Sequence, residues 1–510
     1  MTSTGGVRGR NAEHGVVAFR AIPYAAPPVG PYRFQAPGPV PPWRGVREAR
    51  EPSAVAPQDP RSGYGWTVAA GDDYLTLDVF VPEDLPRDLP VLVWIHGGGW
   101  IAGSGSAPAY FPRAWVSRGL AVVTLNYRLG FEGFGSLDGA PENRGLLDQV
   151  AALRWVAENI AAFGGDPARV TIAGGSAGAA SVAALMCAPV ARNLFARAIA
   201  SSIPSEMYTV TRARQVAARV ASAARVPATL QGFAGLSPSR LLAASAAVTE
   251  DLAVADTAGG PRNSVPLLYH PVVDGDLITG HYSEGPHAGG DPDVPVLVST
   301  QDDEWTLFSR SGFVPVTRTG TDVRAYASAV GLPPAGLLRY RQLLPGASPG
   351  VVGDALLTDA LFGEPSRRFA RRHAERGGQA FLARFTWRAP AMGGRFGATH
   401  GLDVPFAFGN PRGMELLLHA VPVLPLLRRV PRLGVKVPGV FPTPAAAALS
   451  RRMVDAWTGF AISGDPGWPA LGADGVPVRV WGSRDTLELV TNPREDIWRD
   501  VELRAYDGEV

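Results

Sequence analysis

Cysteine is almost absent from this chain, Cys187 being the only one in 510 residues. That excludes an internal disulfide, a thiolate zinc site and an iron–sulfur centre. Lysine is as scarce: Lys436 is the single example among 48 basic residues, so arginine carries the positive charge. This is read as a compositional bias and not as a recognition code. The formal net charge is only +2, and no basic field points to nucleic acid or to an acidic membrane surface. No apolar run reaches the roughly 18 residues that a membrane span needs. Met1–His14 lacks the apolar segment behind a basic start that marks a secretory signal, and there is no Asn-x-Ser/Thr acceptor. Together these absences lead to the expectation of a reduced, cytoplasmic location.

Hydrophobic residues make up 46% of the chain and charged residues 18%, enough apolar material for a large core. The chain is long for one domain, but α/β proteins with insertions reach this size around one sheet. No repeat of about 20–50 residues and no Ser/Gly linker divides it, so residues 1–510 are expected to form a single domain. The N-terminal stretch, with Pro23, Pro27, Pro28, Pro31, Pro37, Pro39, Pro41 and Pro42, reads as short edge strands and extended coil. Leu75–Val81 alternates apolar and polar residues as an antiparallel strand does.

Beyond Pro90 the pattern changes. Val91–Ile95, Ala121–Leu125 and Val170–Ala173 are continuous apolar runs, the mark of strands buried on both faces. Leu146, Val150, Leu153, Val156 and Ile160 recur at helical spacing, and Ala177–Cys187 reads as a helix of small residues. Strand and helix in alternation predict a mostly parallel α/β sheet flanked by helices. Residues 207–260 read as Ala-rich helices, and 310–375 and 411–455 as helical insertions standing over the sheet.

Gly174-Gly175-Ser176-Ala177-Gly178 lies between a buried strand and a helix. In that context Gly-x-Ser-x-Gly is a nucleophile elbow: small flanking residues allow a sharp turn that lifts the serine hydroxyl above the sheet, at a helix N-terminus. His96-Gly97-Gly98-Gly99-Trp100 follows the first buried run. A loop of this type is the oxyanion element of lipases and esterases. A tetrahedral intermediate puts full charge on the former carbonyl oxygen, and backbone N–H groups reach it only where side chains do not intrude. The expected donors are the N–H groups of Gly98, Gly99 and Ala177, with His96 holding the loop. A phosphate cradle would need Lys-Ser/Thr after the glycines, and none follows.

The chain resembles the type-B carboxylesterase (cholinesterase/carboxylesterase) family over nearly its whole length. The residues that carry the resemblance are Phe19–Gly30 with Arg33-Phe34, Asp73–Val79, Asn126-Tyr127-Arg128, Asn143–Gln149, Ala152–Val156, Phe163–Pro167, Pro271–Gly275 and Trp457–Phe460. The resemblance implies an α/β-hydrolase fold and a serine carboxyl-ester hydrolase that needs no metal or cofactor and acts on a small-molecule ester. It also implies the partners of Ser176. The acid is Glu304, in Thr300-Gln301-Asp302-Asp303-Glu304, with Asp302 and Asp303 as neighbouring alternatives. The base is His400, in Gly397-Ala398-Thr399-His400-Gly401, with His270 as its rival. Ser202 matches a family serine beside the acid. Trp100, Phe131, Phe134, Trp305 and Trp387 are candidates for lining the substrate pocket, and the insertions for covering it. The chain departs from the family where Gly175 replaces the usual glutamate, Trp305 the usual glycine after the acid, Tyr74 a disulfide cysteine, and Ile203 the glycine after Ser202. Two other readings are a lipase, through the apolar and basic Met414–Phe441 segment, and a non-catalytic binding relative.

Overall fold

The computed structural model describes residues 1–59, 71–259, 267–285, 291–311, 319–388, 394–410, 443–472, 475–489 and 493–503. Met414–Phe441, Lys436, His287 and His419 lie outside the described residues.

Among the described residues, eleven strands form the main sheet. In chain order they are β1 (Arg10–Asn11), β2 (Val16–Pro23), β3 (Thr76–Pro82), β4 (Leu89–Ile95), β5 (Ala121–Leu125) and β6 (Gly165–Gly175). They continue with β7 (Arg197–Ser201), β8 (Val296–Gln301), β9 (Ala380–Phe385), β10 (Val478–Trp481) and β11 (Thr486–Glu488). Across the sheet the order is β11-β10-β9-β8-β7-β6-β4-β5-β3-β2-β1. Every pair from β5 to β10 is parallel, and the pairs at the two ends are antiparallel.

The apolar runs behave as expected of strands with two buried faces. Along β4, Val91, Val93 and Ile95 enter one hydrophobic cluster, and Leu92 and Trp94 enter another across the sheet. The first cluster is closed by α1 (Arg144–Asn159) and α2 (Ala177–Cys187), whose side chains pack into it. The second is closed largely by α3 (Pro444–Ser463), through Leu449, Met453, Trp457 and Phe460. The described part of the second expected insertion, residues 443–455, thus belongs to a helix packed on the sheet. Residues 319–375 are helical as expected and have a third cluster, around Trp305, Tyr340, Leu356, Phe362 and Trp498.

β3 is antiparallel to its neighbours, as its alternation predicts, yet its polar face is not in water. Asp78 is buried there and accepts the Ala21 N–H at 2.9 Å, the Ser106 hydroxyl at 2.8 Å and the Arg20 guanidinium at 3.2 Å. Alternation alone reports two unlike faces; here the unlike face is a buried polar network. No helix among the described residues is long and apolar enough to cross a membrane.

Candidate active site

Four neighbouring parallel strands, β8, β7, β6 and β4, end along one edge of the sheet. Beyond their C-termini come Glu304, Ser202, Ser176 and the Gly97–Gly99 loop, in that order. Open α/β sheets bind ligands in this kind of crevice, outside the carboxyl ends of the strands. Parallel register brings together residues that are far apart in the chain: Gly175 lies opposite Ser201, and Ser201 opposite Ser299.

Ser176 stands between β6 and α2 with φ 58° and ψ −127°, a backbone state that L residues rarely adopt. Such a position costs about 1–3 kcal/mol and persists only where the surroundings enforce it. They do so here by close approach. A Cβ on Gly178 would lie 2.1 Å from the Ile95 carbonyl oxygen, and one on Gly97 would lie 2.6 Å from that of Gly175. The Ser176 N–H donates to the Ser201 carbonyl at 2.9 Å, pinning the turn to the next strand.

After β8 the three adjacent acids separate. Glu304 is fully buried and accepts His400 Nδ1–H on Oε2 at 2.6 Å. Its Oε1 accepts the Ser202 hydroxyl at 2.6 Å and the Gln301 N–H at 3.0 Å. With Nδ1 carrying the proton, Nε2 is the imidazole's basic nitrogen. Asp303 instead accepts the Ala398 N–H at 2.9 Å and Arg388 at 3.0 Å, and Asp302 lies 3.5 Å from Arg384. Both tie the loop down and neither is bonded to His400. His270 bonds the Leu267 carbonyl at 3.1 Å, and burial lowers its pKa to about 4. Its ring lies 5.7 Å from that of Trp100.

Sequence reasoning assigned no role to three groups behind this pair. Gln301 Nε2 donates to Ser202 Oγ at 3.0 Å and to Asp403 Oδ1 at 2.9 Å, while its Oε1 accepts the Leu402 N–H at 3.1 Å. Ser201 donates to the other oxygen of Asp403. Burial raises the Asp403 carboxyl to about 6, opposed in part by the Ser201 hydrogen bond. Phe362 and Phe308 flank the His400 ring at 4.4 and 5.4 Å. The Gln301-to-Asp403 spacing carries no sequence signal, because these residues meet only through the loops of two different strands.

On the other side of Ser176, Gly98 and Gly99 retain partial exposure and have positive φ, 118° and 61°. Ala177 is the first residue of α2, where an N–H has no intrahelical acceptor. His96 stacks on Tyr127 at 4.5 Å, bonds the Gly97 carbonyl through Nδ1 at 2.8 Å and is held neutral by burial, its pKa lowered to about 4. It braces the loop from within. The expected pocket aromatics are dispersed. Trp100, Phe131 and Phe134 are buried in the first cluster, Trp305 in the third, and Trp387 packs on Phe406 beside the second. Leu267, which a Cβ on Gly99 would meet at 3.0 Å, borders the glycine loop and was not foreseen.

A parallel core sheet with a serine elbow between strand and helix, and a Glu–His pair on the adjoining strand ends, is the α/β-hydrolase architecture. The chain belongs to the carboxylesterase family, whose model (described as "Carboxylesterase family") matches residues 1–329. It is 33% identical to the para-nitrobenzyl esterase of Bacillus subtilis (strain 168), over 96% of this chain and 95% of that one. It is 34% identical to the phenmedipham hydrolase of Pseudarthrobacter oxydans, over 94% of each. Among solved structures, a carboxylesterase from Geobacillus stearothermophilus superimposes with a TM-score of 0.82 at 32% identity, covering 98% of this chain and 99% of that one. The protein is a carboxylic ester hydrolase.

Proposed function

We propose that the protein hydrolyses neutral, moderately apolar esters of small molecules through an acyl-enzyme on Ser176. The observation that carries this reading is the His400–Glu304 pair on strand ends beside the Ser176 elbow. His400 Nε2 takes the hydroxyl proton as Oγ attacks the ester carbonyl. The N–H groups of Gly98, Gly99 and Ala177 receive the oxyanion, each such donor being worth about 10²–10³ in rate. Glu304 holds the imidazole and stabilises its cation. The C–O bond to the alcohol then breaks and the alkoxide leaves with the proton from His400. Water, deprotonated by the same nitrogen, cleaves the acyl-enzyme to the acid and restores Ser176.

Neutral esters are favoured because Gly175 brings no charge to the elbow, where the family usually has a glutamate. Phe308 beside His400 and Leu267 beside the glycine loop supply apolar surface, and the helices of 319–375 cover the His400 side. A cytoplasmic location belongs to the same reading, supported by the buried free thiol of Cys187 and by Tyr74 at the place of a family cysteine.

The test is Ser176→Ala, which is expected to keep the fold and to lose turnover of p-nitrophenyl butyrate by on the order of 10⁶, as in a comparable triad. A fluorophosphonate is expected to label Ser176 alone. Labelling at another residue, or turnover within tenfold of the parent, would overturn the assignment.

A further inference from the structure

Gln301 is the last residue of β8, and its side chain lies buried between the end of β7 and the loop that carries His400. Its contacts fix the direction of the hydrogen bonds around Glu304. The Leu402 N–H can only donate, and it meets Gln301 Oε1 at 3.1 Å. The amide is therefore turned with Nε2 toward Ser202 Oγ at 3.0 Å and Asp403 Oδ1 at 2.9 Å. An amide nitrogen carries two protons and accepts none, so it donates to both. Ser202 Oγ has a single proton. With the amide donating into Oγ, that proton is left for Glu304 Oε1, 2.6 Å away. The same Oε1 accepts the Gln301 backbone N–H at 3.0 Å, and Oε2 accepts His400 Nδ1–H at 2.6 Å. Gln301 thus reaches the acid twice, directly through its backbone and by way of the Ser202 hydroxyl through its side chain. Ser202 is itself held for this contact: its φ is 60°, in the left-handed region, and its N–H donates to the Ser299 carbonyl at 2.8 Å.

We propose that Gln301 is a positioning residue for the reaction at Ser176, its side-chain amide holding the Ser202 hydroxyl toward Glu304 and clipping the loop of His400 to the strand end beside the acid. This rests on the reaction proposed for Ser176. The amide does two things here that apolar packing at the same place would not. It sets a chain of hydrogen bonds running one way, from Gln301 to Ser202 to Glu304, in which each donor strengthens the next. Glu304 is left an acceptor on both oxygens, the ionised form that stabilises an imidazolium. At its other end the amide binds Leu402 and Asp403, two and three residues past His400, and so limits how far the imidazole can drift from the acid. Without the amide the Ser202 hydroxyl is free to turn away from Glu304, and the His400 loop loses its side-chain tie to β8.

A double-mutant cycle between Gln301 and Ser202 tests this, read as kcat and KM for p-nitrophenyl butyrate, with active sites counted by fluorophosphonate labelling taken to completion. Gln301→Met keeps the volume and removes both donors. Gln301→Glu keeps the size and the acceptor for the Leu402 N–H but carries at most one donor, and this arm stands even if the methionine variant does not fold. Each is expected to lower kcat per labelled site at least about tenfold, within the roughly hundredfold that a misplacement of about 1 Å costs. KM is expected to stay within about threefold of the parent, because His400 serves acylation and deacylation alike and both steps slow together. If the amide acts through the Ser202 hydroxyl, adding Ser202→Ala to either Gln301 variant costs little more than the costlier single change, and not the product of the two. A smaller loss of kcat per site in both Gln301 variants, a loss that appears in KM or only in the number of labelled sites, or losses that multiply in the cycle would each overturn the role of Gln301. Labelling still confined to Ser176 in any of those cases leaves the Ser176 reaction standing.

Discussion

Asp403 is a second carboxyl buried close behind the Glu304–His400 pair, held by Gln301 and Ser201 and with no cation bonded to it among the described residues. Burial, and after it the nearby Glu304, raise its pKa from 3.8 to about 6, against the lowering by Ser201. The native state therefore holds this proton more tightly than the unfolded chain does. Its contribution to stability is fully present below the unfolded value and is lost as pH rises through about 6, on the order of 3 kcal/mol for such a shift. Asp403→Asn keeps an acceptor for Gln301 and a group that bonds the Ser201 hydroxyl, but removes the ionisation. The melting temperature of the variant, taken relative to the parent, is expected to rise between pH 4 and 7 and then level off, with kcat/KM changed by less than about tenfold. A difference independent of pH would mean that Asp403 does not titrate in this window.

At the scale of the element, the strand–turn–helix around Ser176 separates glycines that geometry demands from one that it does not. A Cβ on Gly178 meets the Ile95 carbonyl oxygen at 2.1 Å, where β4 and α2 touch backbone to backbone. A Cβ on Gly175 meets only the Val404 Cγ2 at 3.1 Å and Trp94 at 3.7 Å, and φ there is not positive. Gly178→Ala is thus expected to lose at least about 1–3 kcal/mol by overpacking, seen as a lower urea midpoint or as insoluble protein, while Gly175→Ala stays within about 1 kcal/mol of the parent. The reverse order would refute this account of the turn. Because Gly175 is not sterically required, its effect lies in the charge it omits. A carboxylate about 5 Å from a quaternary ammonium contributes on the order of 3 kcal/mol at an effective dielectric near 20. Without it, butyrylcholine and 3,3-dimethylbutyl butyrate, alike in shape, are expected to have kcat/KM values within about tenfold of each other, or 1.4 kcal/mol. A larger preference for choline would show that another acid faces the alcohol.

Over the whole molecule, the C-terminal segment is linked to His400 through the third cluster. Trp498 Nε1–H donates to the Tyr340 hydroxyl at 2.7 Å, and Tyr340 donates to Asp359 at 2.6 Å. Asp359 opens the turn Asp359–Gly363 that carries Phe362 to His400. Arg368 closes the same region by donating to the Trp498 and Val501 carbonyls at 3.0 and 2.8 Å and to Glu364 at 3.2 Å. Trp498→Ala removes a fully buried indole, an excision that typically costs about 3–5 kcal/mol. The cluster lies on one side of the sheet's C-terminal edge and has its own apolar contacts, so it is expected to open before the sheet does. In the variant, esterase activity should disappear at a lower urea concentration than the far-ultraviolet circular dichroism signal. Coincident transitions would show that cluster and sheet unfold as one unit.

The sequence by itself determined the central strands, since runs such as Val91–Ile95 can be buried only between two packed faces. It also determined the Ser176 turn, because Gly-x-Ser-x-Gly after a buried strand leaves few other conformations. These are local properties, readable from neighbours in the chain. The family motifs extended that reading, but several of them turn out to be braces: Arg128 makes a buried pair with Asp148 at 2.6 Å, and the Asn143 side chain bonds Val272 through both its N–H and C=O groups at 2.8 Å. Only the tertiary structure decided which of Asp302, Asp303 and Glu304 meets His400, because the turn after β8 points three adjacent carboxyls at different partners. Likewise it alone joined Ser201, Gln301 and Asp403, and set Phe362 beside His400. Those contacts arise where parallel strands end side by side, and such adjacency follows from sheet order, which no local period encodes.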